Sequence, residues 1–256
     1  MEMYTRHIKT AAWIALAVFG TALSVPAQAA LMPTDDTFVE ADNTGPFGSG
    51  ATMAIKHTFG TNSPNSTGGD DRIGLLGFDL TGQANVITNA TLSLNYTSGG
   101  QETNTGNDYV FTVYGIQDGG TNEFFDENTL TYSSFGYGSA TLHGSFDPTG
   151  LTNLGNFITT GIGGAVHFSN ANLLSYINND ANDRVSFVIF RNSQRSNTFN
   201  STIFATKEHS DSALRPSLAL EPNPPQTAPV PEPTTLALLG LGGLALVLPR
   251  RKQRAM

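Results

Sequence analysis

The 256-residue chain has no cysteine, which excludes cysteine nucleophiles, thiolate metal sites and a disulfide scaffold. Acidic residues outnumber basic ones 21 to 13, for a formal charge of −8, and this excess argues against nucleic acid, whose phosphates need a basic footprint.

The first 29 residues read as a secretory signal peptide. Arg6 and Lys9 supply the positive n-region and Ala11 to Ala22 the apolar core, and Ala27-Gln28-Ala29 is a small-x-small site with cleavage predicted after Ala29. The apolar core is too short for a transmembrane helix. Without this segment and everything past Pro233, 20 acidic and 7 basic residues remain, so the exported body carries a charge near −13.

Residues 30–221 have the length of one all-β domain. Short β-prone segments alternate with Gly, Asn, Ser, Thr and Asp clusters. Strands are predicted at Thr37 to Glu40 and Thr52 to His57, then at Ile73 to Leu80, whose continuous apolar character suits a strand that is central or covered on both sides. Ala90, Leu92, Leu94 and Tyr96 alternate with polar residues as a half-buried strand does, and Tyr109 to Ile116 reads as its neighbour in one sheet. A short strand is expected at Thr129 to Tyr132, and irregular structure across the glycine-rich Gly136 to Gly164. Ala165 to Phe168 reads as a strand, and Ala171 to Asn178 as a helix with Asn170 as N-cap and Leu173, Leu174 and Ile177 on one face. Strands at Arg184 to Arg191, Ser201 to Lys207 and Pro216 to Leu220 close the domain. The predicted fold is a single antiparallel β-sandwich of about eight strands or more, jelly-roll-like.

Asp35, Asp36, Glu40 and Asp42 place alternating oxygen donors near a loop and are candidate Ca²⁺ ligands, although their spacing is not that of an EF-hand. No other cofactor is expected. Tyr109, Tyr114, Tyr132, Phe135 and Tyr137 are candidate sugar-stacking platforms. Arg191, Arg195, Lys207 and Arg215 are the cations that an anionic polymer would need gathered on one face. Asp126-Glu127 is the nearest approach to a glycosidase carboxylate pair. The histidines lack metal-binding spacing, and no Gly-x-Ser-x-Gly elbow or phosphate-binding loop occurs, so the chain is not expected to be an enzyme.

Residues 222–233 form a proline-stiffened linker ending in Pro231-Glu232-Pro233. An apolar, helix-forming stretch at 234–248 follows, shorter than the roughly 20 residues of a comfortable span. The tail at 249–256 holds Arg250, Arg251, Lys252 and Arg254, a basic cluster that resists translocation. Positive charge at both ends puts both on the cytoplasmic side of the inner membrane before processing, with the body outside.

This three-part ending resembles the PEP-CTERM sorting signal of Gram-negative bacteria. The resemblance implies recognition by exosortase, a membrane-embedded cysteine transpeptidase, at or near Pro231-Glu232-Pro233. It also implies an inner-membrane anchor before processing, then an outer-surface or matrix location tied to exopolysaccharide.

The body resembles a DNRLRE domain in the order of its landmarks: Asp36-Thr37-Phe38-Val39, Gly48-Ser49-Gly50, Asp71-Arg72 ahead of Leu76 to Leu80, Ile87 to Leu94, and Lys207-Glu208 before Arg215-Pro216. Asp71-Arg72 stands where the family often has Asn-Arg, Lys207-Glu208 where it has Arg-Glu, and Tyr132 where it commonly has Trp. Structural ion pairing survives such swaps. The resemblance implies kinship with carbohydrate-binding modules for alginate-type polymers, but the negative body favours a neutral or Ca²⁺-crosslinked polysaccharide. The expectation is an exported envelope or matrix protein that binds or structures exopolysaccharide. The alternatives are a polysaccharide-acting hydrolase or lyase and a purely structural matrix protein.

Overall fold

The computed structural model of the chain describes residues 29–41, 45–57, 71–84, 86–101, 107–138, 146–192 and 201–223. The chain divides between Asn223 and Pro224 into two compact units, and all of the described residues lie in the first.

Among the described residues, ten strands form two antiparallel sheets. The first has the order β1-β3-β8-β5-β6, built from β1 (Asp35–Glu40), β3 (Arg72–Asp79), β8 (Arg184–Arg191), β5 (Tyr109–Ile116) and β6 (Leu151–Thr159). The second has the order β10-β4-β9-β2, built from β10 (Ser217–Pro222), β4 (Ile87–Ser98), β9 (Thr202–Ala205) and β2 (Thr52–Ile55), with β7 (Gly164–Phe168) also paired to β4. Leu92 pairs with both Phe168 and Leu218, and Tyr96 with both Gly164 and Phe204. Hence β7 runs along one edge of β4, while β10 and β9 share the other end to end.

The sandwich interior follows from period-2 alternation. Leu92, Leu94 and Tyr96 of β4 face the same core as Phe111 and Val113 of β5 and Phe187 and Ile189 of β8. A second apolar cluster covers the opposite face of the first sheet, where Val39, Ile73, Leu75 and Val188 meet Phe125, Leu130, Phe135 and Tyr137. The β3 strand therefore has both faces buried, which accounts for its unbroken apolar sequence.

Three expectations are corrected. β4 and β5 lie in different sheets and meet across the core; each supplies one apolar face to it, a pattern that does not distinguish a neighbour from an opposite number. The supposedly irregular stretch contains β6, nine residues paired along β5. Its alternation is broken at Gly155, φ +123°, where the register shifts opposite Val113 and Tyr114, so Leu154 and Phe157 both point inward although three residues apart. At Thr129 to Tyr132 a turn leads instead into the one-turn helix α1 (Tyr132–Phe135). Ser134 Oγ accepts from the Thr131 N–H at 3.0 Å, and Gly136 ends the turn at φ +80°. The helix α2 (Ala171–Asn178) forms where predicted, with Asn170 Oδ1 accepting from the Leu173 N–H at 2.8 Å and Leu173 and Ile177 buried.

Candidate functional site

Neighbouring residues on a strand point to opposite faces, and this divides the acidic run on β1. Asp35 turns to Arg184, 2.9 Å away, and Glu40 pairs with Arg72 at 2.6 Å. Asp42 lies outside the described residues. Among the described residues the predicted Ca²⁺ ligands are not brought together: Asp35 and Glu40 already have guanidinium partners on other strands.

Asp36 instead joins residues that are distant in sequence. It is fully buried, and its backbone N–H donates to Glu127 Oε2 at 2.9 Å. The Lys207 N–H donates to Asp36 Oδ2 at 2.6 Å. Lys207 Nζ donates to both Glu127 oxygens, at 2.5 and 2.6 Å, and to Glu208 Oε1. Local sequence sets each arm. Thr206, leading out of β9, donates from its N–H to Ala51 O and from Oγ1 to Gly50 O, which fixes the turn carrying Lys207 and Glu208. The Glu127 turn is held by Asp126, whose Oδ1 accepts the Asn128 N–H at 2.9 Å. Gly48 packs so closely on it that an added Cβ would lie 2.4 Å from Glu127 O.

Carboxylate oxygens of Asp36, Glu127 and Glu208 lie within 4.8 Å of one another. Asp36 Oδ1 and Glu208 Oε2 are buried without a hydrogen-bond partner. Desolvation, opposed by the Lys207 N–H and reinforced by the Glu208 charge, pushes the Asp36 carboxyl up to about 8. Burial pulls the Lys207 ammonium down, but its bonds to Glu127 and Glu208 outweigh that and leave it above the ordinary lysine value.

A second acidic group joins the loops after β5 and α2, where Asp118, Glu123 and Asp180 converge. Glu123 is buried and satisfied by the Gly119 N–H and Asn182 Nδ2. Asp118 accepts the Ala181 N–H at 3.0 Å. Asp180 is pushed up to about 6, first by desolvation and then by the Asp118 charge. Beside this group a cleft of about 330 Å³ opens between the β5–β6 end and α2, with Gln117, Asp118, Asn153, Asn172 and Asn179 on its walls and Tyr176 among them.

Three of the five predicted aromatic platforms, Tyr109, Phe135 and Tyr137, are buried. Tyr109 is fully buried beneath the buried Arg191 guanidinium, 4.4 Å from its ring centre, and Arg191 Nη2 donates to His57 O. Tyr114 is half-buried against Phe146, Tyr132 is half-buried against Gly138, Phe135 is fully buried, and Tyr137 is buried with its hydroxyl on Thr121 O. Tyr109 lies in the core between the sheets, Phe135 and Tyr137 in the cluster that covers the first sheet, and Tyr114 and Tyr132 pack against that cluster at partial exposure. Lys207 belongs to the ion cluster, and Arg215 Nε donates to His209 O. Asp126 and Glu127 serve different partners and do not face one another across a cleft. Ala29 is exposed, whereas Ala27, Arg195, Pro231, Glu232, Pro233, Arg250, Arg251, Lys252 and Arg254 lie outside the described residues.

Glu208 and the cleft residues were not singled out from sequence as site residues, and Glu127 was named only beside Asp126 as a glycosidase-type pair. The available signal was the Lys207-Glu208 pair, a landmark of the body that carries one basic and one acidic group into the same turn.

Residues 229–252 match the PEP-CTERM protein-sorting motif. The motif marks this chain as an exported protein that is sorted by exosortase and processed at the membrane. No curated protein matches the chain, and the DNRLRE resemblance of the body gains no support from these comparisons. Among the described residues no helix is long and apolar enough to cross a membrane.

Proposed function

We propose that the sandwich is a non-catalytic module that holds neutral exopolysaccharide at the outer surface or in the matrix. In this reading, residues 1–29 are removed on export and 234–248 anchor the chain in the inner membrane until exosortase acts near Pro231-Glu232-Pro233. The strand order supports a jelly-roll-like sandwich: β2-β9-β4-β7 in one sheet opposes β3-β8-β5-β6 in the other.

The observation that carries the sugar reading is the cleft beside Tyr176. Its carboxamides at Gln117, Asn153, Asn172 and Asn179 offer donors and acceptors side by side, which suits the paired hydroxyls of a saccharide. Asp118 is the one charged side chain lining it, and it is negative, so a uronate polymer is disfavoured there.

The test is retention of the purified full chain, in mild detergent, on insoluble neutral polysaccharides, with reducing ends measured in parallel. Retention is expected without release of reducing ends, and it should be lost when Asn153 and Asn172 are both replaced by alanine. Retention unchanged in that variant, or turnover of the polymer, overturns the reading.

A further inference from the structure

We propose that Asp36, Glu127 and Glu208 form a binding site for one hard divalent cation, Ca²⁺, at the junction of β1, the turn after β9 and the segment carrying Glu127. The proposal does not depend on sugar binding in the cleft.

Two buried oxygens point to the ligand. Asp36 is 0% exposed, yet neither its Oδ1 nor Glu208 Oε2 accepts from any donor group, and the two carboxyl groups meet only each other there. A buried carboxylate oxygen left without a donor is costly, and a cation removes that cost for both at once. The spacing also fits. The three carboxylates approach within 4.8 Å of one another, and with Ca–O distances of about 2.3–2.6 Å, oxygens on opposite sides of one Ca²⁺ stand about 4.6–5.2 Å apart.

Charge gives the same answer. Three carboxyl groups converge on a single ammonium, that of Lys207, and a cation among them favours the charged form of all three. Lys207 occupies the place of a cation, bridging Glu127 and Glu208, and its side chain is 20% exposed. The arriving ion displaces this ammonium toward solvent and takes oxygens from Asp36, Glu127 and Glu208, with water completing a shell of six to eight oxygens. Entry is from the Glu208 side, whose side chain is 29% exposed. The Asp118, Glu123 and Asp180 group is the comparison: it has one buried oxygen without a partner, Asp180 Oδ1, against two at the proposed site, and Glu123 and Asp118 there already accept from Gly119, Asn182 and Ala181.

The experiment uses the full chain in mild detergent, stripped with EDTA and titrated with CaCl₂ by calorimetry, with thermal melts in parallel. The expected result is one site with Kd of about 0.1–1 mM, the range of extracellular Ca²⁺ modules, and a rise in Tm on saturation. Asp36→Asn and Glu208→Gln should abolish both signals, Asp180→Asn should leave both unchanged, and Lys207→Met should tighten binding by removing the competing ammonium. If Asp36→Asn fails to fold, Glu208→Gln decides alone. No Ca²⁺ signal in the parent chain, or a signal that survives Glu208→Gln, overturns the proposal.

Discussion

The Lys207 N–H donates to Asp36 Oδ2 at 2.6 Å across 171 positions of sequence. Asp36 belongs to the first sheet and Lys207 lies two residues past the end of β9 in the second, so this bond and the ammonium beside it tie the sheets together at one end of the sandwich.

Replacing Lys207 with methionine in metal-free buffer keeps the stem's volume but leaves Glu127 and Glu208 without their counter-charge. Removing one partner of a buried pair costs about 3–5 kcal/mol, and the partial exposure of Lys207 lowers the expectation to about 2–3 kcal/mol. Urea denaturation of parent and variant at pH 7 measures it; a difference below about 0.5 kcal/mol would remove the cluster from the account of stability.

Gly48→Ala tests the other side of the cluster. An added Cβ meets Glu127 backbone and Cβ atoms at 2.4 to 2.6 Å, so the Glu127 turn has to shift. A cost of about 1–3 kcal/mol is expected, read as a lower midpoint in the same urea series. Gly82→Ala is unsuitable as a control because of its positive φ, whereas Gly50→Ala, with contacts of 3.3 Å or longer, should cost less than Gly48→Ala.

Asp180 gives a pH dependence of defined sign. Its folded value, raised from 3.8 to about 6, means that the folded chain binds the proton more tightly than the unfolded one. Stability attributable to this group therefore falls as pH rises from about 4 to about 6 and is flat outside that window. Asp79, Asp126 and Asp147 are lowered, chiefly by hydrogen bonds from Thr81, Asn128 and Thr149. Their contribution is present above 3.8 and is lost only at more acid pH. Asp180→Asn should thus have a higher Tm than the parent at pH 7, the gap closing as pH falls toward 4. The Asp36 contribution is common to both proteins and cancels in the comparison. A gap that is constant from pH 4 to 8 would refute the assignment.

Replacing Pro231, Glu232 and Pro233 with alanines in an exosortase-bearing host should leave the chain unprocessed in the membrane fraction. Identical mass and fractionation of the two versions would refute processing at this motif.

Local features were legible in the sequence where one short-range rule decided them. Asn170 followed by Leu173 and Ile177 announced α2, and the alternation from Ala90 to Tyr96 announced most of β4. Strand β6 was hidden because Gly155 shifts the inward positions from every second residue to Leu154 and Phe157. The acidic cluster was hidden for a different reason. Closeness in sequence suggested Asp35, Asp36, Glu40 and Asp42, but a strand sends Asp35 and Asp36 to opposite sides, and the partners that Asp36 does find are 91 and 171 positions away. The tyrosines were ambiguous because a ring that fills a core and one that stacks on a sugar look alike until burial is known.

The bulge at Gly155 bears also on how copies of the molecule coexist. Strand β6 ends its sheet, and a straight outer strand offers its backbone amides and carbonyls to any similar strand nearby. A displaced register and an added twist make that rim a poor template for a second copy. For an exported protein, a single glycine thus works against edge-to-edge pairing of one copy with the next.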